Sequence, residues 1–274
     1  MPFTPRSQDR GIPIRRPDLA ISDAIPRHWL GGNPFASHFF DALSSTFPDG
    51  EAFFVRSVQH YRSRIGDPDL LLAIAGFAGQ EAQHRQQHDR HLLLLQGSGY
   101  TALAARNRIM RRVMHFVGRR DPRGALAATA ALEHLTAILA RRVLRDTDRL
   151  CAQMDPRMAR LWQWHALEES EHKAVAFDVL MQVAPGHPRR VAVQVVNSLG
   201  LFLEVLDRTL YMLWKDGLLF RRATWSQGWS FLFGADGFLR GLGPDYRRWY
   251  RRDFHPDEVD DSALIERWRA RLAV

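Results

Sequence analysis

Two helical segments of this chain each place a glutamate three residues before a histidine, and that pairing constrains the fold more than any other feature. The stretches are Gln80-Glu81-Ala82-Gln83-His84 and Glu169-Ser170-Glu171-His172. Residues three apart on a helix lie one turn along the same face, so each pair presents a carboxylate and an imidazole side by side. With nine Glu and 12 His in 274 residues, fewer than one such pair is expected by chance. Two further segments carry an isolated acid among apolar neighbours: Glu51 in GEAFFVRSV and Glu133 in ALAATAALEHLTAILA. A carboxylate in that company is costly to bury alone and demands a partner.

The segments that carry these residues read as helices. Asp67-Pro68, Asp121-Pro122 and Asp155-Pro156 are start signals, since Asp can cap free backbone N–H groups and Pro supplies the φ of the first helical position. The spacing predicts helices over about 49–65, 68–96, 122–150 and 156–183, with a shorter one near 101–118. Period-two alternation with hairpin turns is absent, so the fold class is all-α. After Pro185-Gly186-His187-Pro188 an apolar helix is predicted over 189–220, followed by a Trp/Phe-rich segment, Trp225 to Phe238. The expected organisation is an N-terminal arm and lead-in over 1–46, read as loose and polar at its start, a four-helix bundle over 47–183, and C-terminal helices over 184–274 packing on it.

Composition narrows the function classes. A single cysteine, Cys151, allows no intrachain disulfide and no cysteine-built zinc site, which makes a cytoplasmic location the expectation. The longest uncharged stretches, Leu92 to Ala105 and Val191 to Leu203, fall short of the about 18 apolar residues of a bilayer-spanning helix. The formal charge of +8 comes from arginines spread along the chain with no aromatic-interleaved basic motif, so no nucleic-acid partner is expected. Trp214, Trp225, Trp229, Phe231 and Phe233 are expected to pack on the bundle core, with contact to a membrane or partner as the alternative, and the apolar 189–238 region suggests a homodimer.

The order Glu, Glu-x-x-His, Glu, Glu-x-x-His over four helices resembles the ligand set of ferritin-like di-iron and di-manganese carboxylate proteins. Two cations close together in a bundle core need bridging carboxylates for charge compensation and an imidazole each. On this reading Glu51, Glu81 and His84 hold one metal and Glu133, Glu169 and His172 the other, with Glu81 and Glu169 as bridges and as the catalytic carboxylates. His165 shares the face of Glu169 and His172, and His88 stands in the same relation to Glu81 and His84, so either is a candidate third imidazole or a support for one. Asp178 and Glu204 are weaker candidates for orienting a histidine. Glu168 and Glu171 point to other faces and read as solvated or helix-pairing charges. Phe54, Phe77, Leu132 and Trp164 are candidates for a cavity wall.

Longer blocks extend the resemblance. Phe47-Pro48-Asp49-Gly50-Glu51-Ala52-Phe53-Phe54, Gln80-Glu81-Ala82-Gln83-His84 with His88, Glu133-His134-Leu135-Thr136-Ala137, Trp164-His165-Ala166-Leu167-Glu168-Glu169-Ser170-Glu171-His172-Lys173 and Phe254-His255-Pro256 resemble a bacterial family labelled predicted metal-dependent hydrolases. The ligands His165, Glu169 and His172 alone are also similar to the three-ligand helix of the di-iron arylamine N-oxygenases.

The resemblance implies a metal enzyme. The leading expectation is a di-iron oxidoreductase of oxygenase type that uses two Fe ions, O2 and electrons from a separate reductase to oxidise a small, apolar organic substrate. Mn or Zn are the alternative metals. The alternative function is a metal-dependent hydrolase with a two-metal-activated water, and a third reading is a non-catalytic iron-binding bundle.

Overall fold

In a computed structural model, which describes residues 11–22 and 24–272, the chain is all-α. The helices are α1 (Pro34–Gln59), α2 (Pro68–Gly97), α3 (Leu103–Arg120), α4 (Pro122–Arg145), α5 (Pro156–His172), α6 (Val175–Val183), α7 (His187–Lys215), α8 (Arg222–Phe233), α9 (Gly243–Arg248) and α10 (Ser262–Leu272). No strand occurs among the described residues, whose one isolated bridge joins Leu30 to Met154.

The Asp-Pro signals mark real starts. Asp67, Asp121 and Asp155 each accept a hydrogen bond from a backbone N–H of the first turn, at Asp69 and Leu70, Gly124 and Arg157 respectively. α1 begins in the same way, with Asn33 accepting from the Ala36 N–H and Pro34 opening the helix. That start lies 15 residues before the predicted one at 49, and Pro48 sits inside α1. The proline disrupts the ladder locally, and Asn107 from α3 donates to the Ser45 carbonyl at 2.7 Å. The segment predicted as one helix over 156–183 is two, parted at Lys173-Ala174, where Lys173 Nζ donates to the Val259 carbonyl and to Asp261.

α1, α2, α4 and α5 form the bundle, and α7 packs along α1 and α4. Two apolar clusters fill its ends. One holds Phe40, Leu43, Leu92, Val143, Leu161 and Trp162; the other holds Phe53, Phe77, Leu126, Ala131, Phe177 and Leu180. Along α1, α2 and α4, and from α5 into α6, the chain passes from one cluster to the other, and the predicted ligands fall at the crossing: Glu51, Glu81 with His84, Glu133, and Glu169 with His172.

The start of the chain corrects another expectation. Residues 1–10 lie outside the described residues, but residues 11–20 are no loose arm. Ile12 lies so close over Gly76 that a Cβ there would sit 2.6 Å from the Ile12 Cβ and 2.8 Å from its carbonyl oxygen, and Ile14 covers Gly79 in the same way. Gln80 and Gln87 donate to the carbonyls of Pro13 and Pro17, both at 2.9 Å, so this strap runs along α2. No described helix is long and apolar enough to cross a membrane.

Candidate metal centre

The crossing layer brings all seven predicted ligands together. Glu51, Glu81 and His84 offer ligand atoms within 4.8 Å of one another, as do Glu81, Glu133 and His172, and as do His84, His165 and Glu169. Glu81 belongs to two of these groups, the position a bridging carboxylate would take. Glu169 Oε1 lies 2.9 Å from His165 Nε2, 3.6 Å from His84 Nδ1 and 3.6 Å from His172 Nε2, so it also faces both halves. His172 Nε2 is 3.2 Å from Glu81 and 3.3 Å from Glu133.

All seven are buried, and their burial fits a cation pair. Both carboxylate oxygens of Glu51, Glu81 and Glu133, together with His172 Nε2 and both His84 nitrogens, have no hydrogen-bond partner among the described residues. Unpartnered carboxylates in an apolar bundle cost several kcal/mol each, roughly, unless a cation compensates them. The titration of the protein's own groups registers that cost. Burial, reinforced by the neighbouring carboxylates, drives Glu51 well above the ordinary carboxylate range. Burial lifts Glu81 likewise, against the opposing pull of His172. Glu133 is pushed up to about 7 by burial and by Glu169. For His172 burial alone would lower the pKa, but Glu133 and Glu169 outweigh it and raise it well above the ordinary imidazole value; Glu169 is correspondingly lowered by His172 and His165 despite its burial. Burial pushes His84 down to about 3 and, with His84 beside it, His165 down to about 4, so both rings are neutral and keep a lone pair.

Supporting residues fix which nitrogen faces the centre. His172 Nδ1–H donates to Gln80 Oε1 at 2.8 Å, which aims Nε2 at the carboxylates. Gln80 in turn donates to Glu171 at 2.8 Å. On His84, Nδ1 faces the centre and Nε2 lies 3.0 Å from Glu168. Glu168 and Glu171 are therefore not solvated charges. Glu168 is buried and the Glu171 side chain is only 2% exposed, and Arg15 of the strap binds both, at 3.1 and 2.6 Å, with Arg269 of α10 completing Glu171. Arg15, Gln80, Glu168 and Glu171 are the supporting residues that sequence reasoning missed. The signal was the density of acids in Glu168-Glu169-Ser170-Glu171, but their partner comes from a strap more than 150 residues away.

The two extra histidines separate. His165 faces Glu169, while both nitrogens of His88 are engaged, Nε2 with His165 at 2.6 Å and Nδ1 with Ser44 at 2.7 Å. The hydrogen bonds continue from Ser44 to His91 at 2.8 Å; His91 lies 3.3 Å from Asp41, Asp41 binds His38 and His38 binds Asp216. Asp178 pairs with His255 and Glu204 with Arg208, so neither orients a histidine of the centre.

A narrow cleft with about 30 Å³ of free volume reaches His165 and Glu169 between α1, α4, α5 and α7, and its walls are apolar: Phe40, Phe47, Leu139, Trp162, Leu201 and Phe238 among others. The four wall residues expected from sequence are elsewhere. Phe54 and Phe77 lie in the opposite apolar cluster, Leu132 packs against it, and Trp164 is core beside the His84 ring.

A model of the family described as predicted metal-dependent hydrolases matches residues 13–260 of the chain. No curated protein and no solved structure matches it.

Proposed function

The chain belongs to the predicted metal-dependent hydrolases, and from that membership and the site's chemistry we propose that it is a hydrolase working through two divalent cations held in the bundle core. The observation that carries the metal is the set of buried, unpartnered carboxylate oxygens on Glu51, Glu81 and Glu133, facing His84 and His172 on four helices. Glu51, Glu81 and His84 would hold one cation and Glu133, Glu169 and His172 the other, with Glu81 and Glu169 facing both. When bound, the pair supplies Lewis acidity and lowers the pKa of water. Zn, Mn and Fe all suit a mixed carboxylate and imidazole set.

The chain's own residues do the rest. Gln80 holds the His172 imidazole in register, Glu168 lies 3.0 Å from His84 Nε2, and Arg15 neutralises the acids behind them. The cleft admits an apolar group as far as His165 and Glu169 and leaves little polar surface to hold bulk water.

A specific observation favours a second reading, an oxidoreductase that uses O2 with two Fe ions, an external reductase and a small apolar substrate. A third imidazole, His165, stands against Glu169 and His84, an electron-rich donor set suited to oxygen chemistry.

One experiment separates the two. Protein loaded with Zn(II) or Mn(II) is assayed under strict anaerobiosis against a panel of esters and amides with apolar acyl groups. Turnover that disappears on chelation and in Glu81→Ala supports hydrolysis. No anaerobic turnover, with O2 consumed on adding Fe(II) and reductant, replaces it with the second reading.

A further inference from the structure

The first turn of α3 reaches α7 through Arg106 to Asp207 and Asn107 to Arg208, and each of the two helices exposes an apolar line that the bundle does not use. On α7, Val196, Leu203 and Trp214 follow one another at about two and then about three turns, which puts them on one line along the helix. Each is more than half exposed, as are Leu199 and Phe202 beside them. On α3, Ile109, Val113 and Phe116 form a second exposed line at the spacing of one helix face. Exposed apolar stretches of this extent mark contact surfaces rather than ordinary solvent-facing helix.

The charge around this surface states what it contacts. α3 carries six arginines and no acid. Arg106 and Arg111 are paired with Asp207 and Asp49, whereas Arg108, Arg112 and Arg119 have no carboxylate partner among the described residues. Beyond α7, Arg221 and Arg222 likewise lack one and directly follow Phe220, which is 90% exposed, with Trp229 of α8 also exposed. Unpaired arginines bordering protruding aromatic and aliphatic side chains make an interfacial surface of the kind that lies on acidic headgroups with its apolar residues in the acyl boundary. A second copy of the chain would set these arginines against each other.

We propose that the α3–α7 face docks on an anionic lipid bilayer. α7 serves both sides of this arrangement, supplying Leu201 to the apolar cleft and Phe202, the next residue, to the docking face. Resting on the hydrolase reading above, the substrate class is an acyl-chain lipid drawn from the bilayer into that cleft.

The test is co-sedimentation of the full chain with vesicles of phosphatidylcholine alone and of phosphatidylcholine mixed with phosphatidylglycerol. The expected result is binding to the mixed vesicles only, weakened by salt. Leu199→Glu with Phe202→Glu should abolish it, and Arg112→Glu with Arg119→Glu should weaken it roughly tenfold or more, with melting temperature and bound metal unchanged in both. The arginine pair is exposed, so it reports even if the apolar pair folds poorly. No binding to acidic vesicles overturns the proposal, as does equal binding by the arginine variant or a stable dimer that the same substitutions dissociate. A chain that binds vesicles but no metal would instead overturn the hydrolase reading alone.

Discussion

His165 Nδ1 and His88 Nε2 stand 2.6 Å apart, both fully enclosed, and one proton between them orders a whole run of hydrogen bonds. With His165 Nε2 turned toward Glu169, its Nδ1–H donates to His88. His88 then donates through Nδ1 to Ser44, and Ser44 donates to His91 Nδ1, which leaves the His91 Nε2–H facing Asp41. The direction follows from the need to keep a lone pair on His165 for the centre.

His88 is thus a support of His165. His88→Phe should lower metal affinity by about 10- to 100-fold while leaving the stoichiometry unchanged. His88→Gln, which can still accept from His165, should recover part of the loss. Competition with a chromophoric chelator measures both.

Glu171 links the strap to the centre, since it binds Arg15, Arg269 and Gln80. Glu171→Ala leaves Arg15 half compensated and removes the anchor of the residue that aims His172. The expected cost is about 3–5 kcal/mol of stability, with weaker metal binding besides. The same change at the exposed Glu266 should alter neither. Denaturant unfolding and metal analysis of the two variants check this.

Metal-free protein should lose stability as pH rises. Glu51, Glu81 and Glu133 all have folded pKa values raised by burial above their unfolded value of 4.5. At these three carboxyls the folded state therefore binds more protons than the unfolded one, so their contribution to stability is complete below pH 4.5 and falls as pH climbs through the folded values, about 7 for Glu133. Divalent cations replace those protons, so the melting temperature of loaded protein should be far less dependent on pH across this window.

His38 carries the opposite sensitivity from its neighbours. Burial alone would lower its pKa, but hydrogen bonds to Asp216 and Asp41 raise it; both acids are lowered despite their own burial. The histidine's contribution is complete below its unfolded value of 6.5 and is lost as pH rises through its raised folded value. The acids contribute above their unfolded value of 3.8 and lose that contribution as pH falls. His38→Phe should therefore lower the melting temperature more at pH 6 than at pH 9.

The helices of the centre and the residues at its heart were legible in the sequence because their signals are local. Glu81 with His84 and Glu169 with His172 announce themselves by helical spacing, and Asp67, Asp121 and Asp155 cap the helices they precede. The start of α1 was written just as plainly in Asn33-Pro34, and α1 runs on through Pro48 to Gln59. The roles of Glu168 and Glu171 were hidden for a different reason. They depend on Arg15, and Arg15 is placed by the fit of Ile12 and Ile14 over Gly76 and Gly79, a contact between distant segments that no local pattern encodes. The cleft was misread similarly, since its wall draws Phe47, Trp162 and Leu201 from separate helices.

The most direct test of the centre is anaerobic titration of metal-free protein with Fe(II) and, separately, Zn(II), followed by metal analysis of the desalted protein. The account predicts two ions per chain, most of them lost in Glu81→Ala and in His172→Ala and all retained in Glu266→Ala. One ion or none, or two ions still bound by Glu81→Ala, would contradict it.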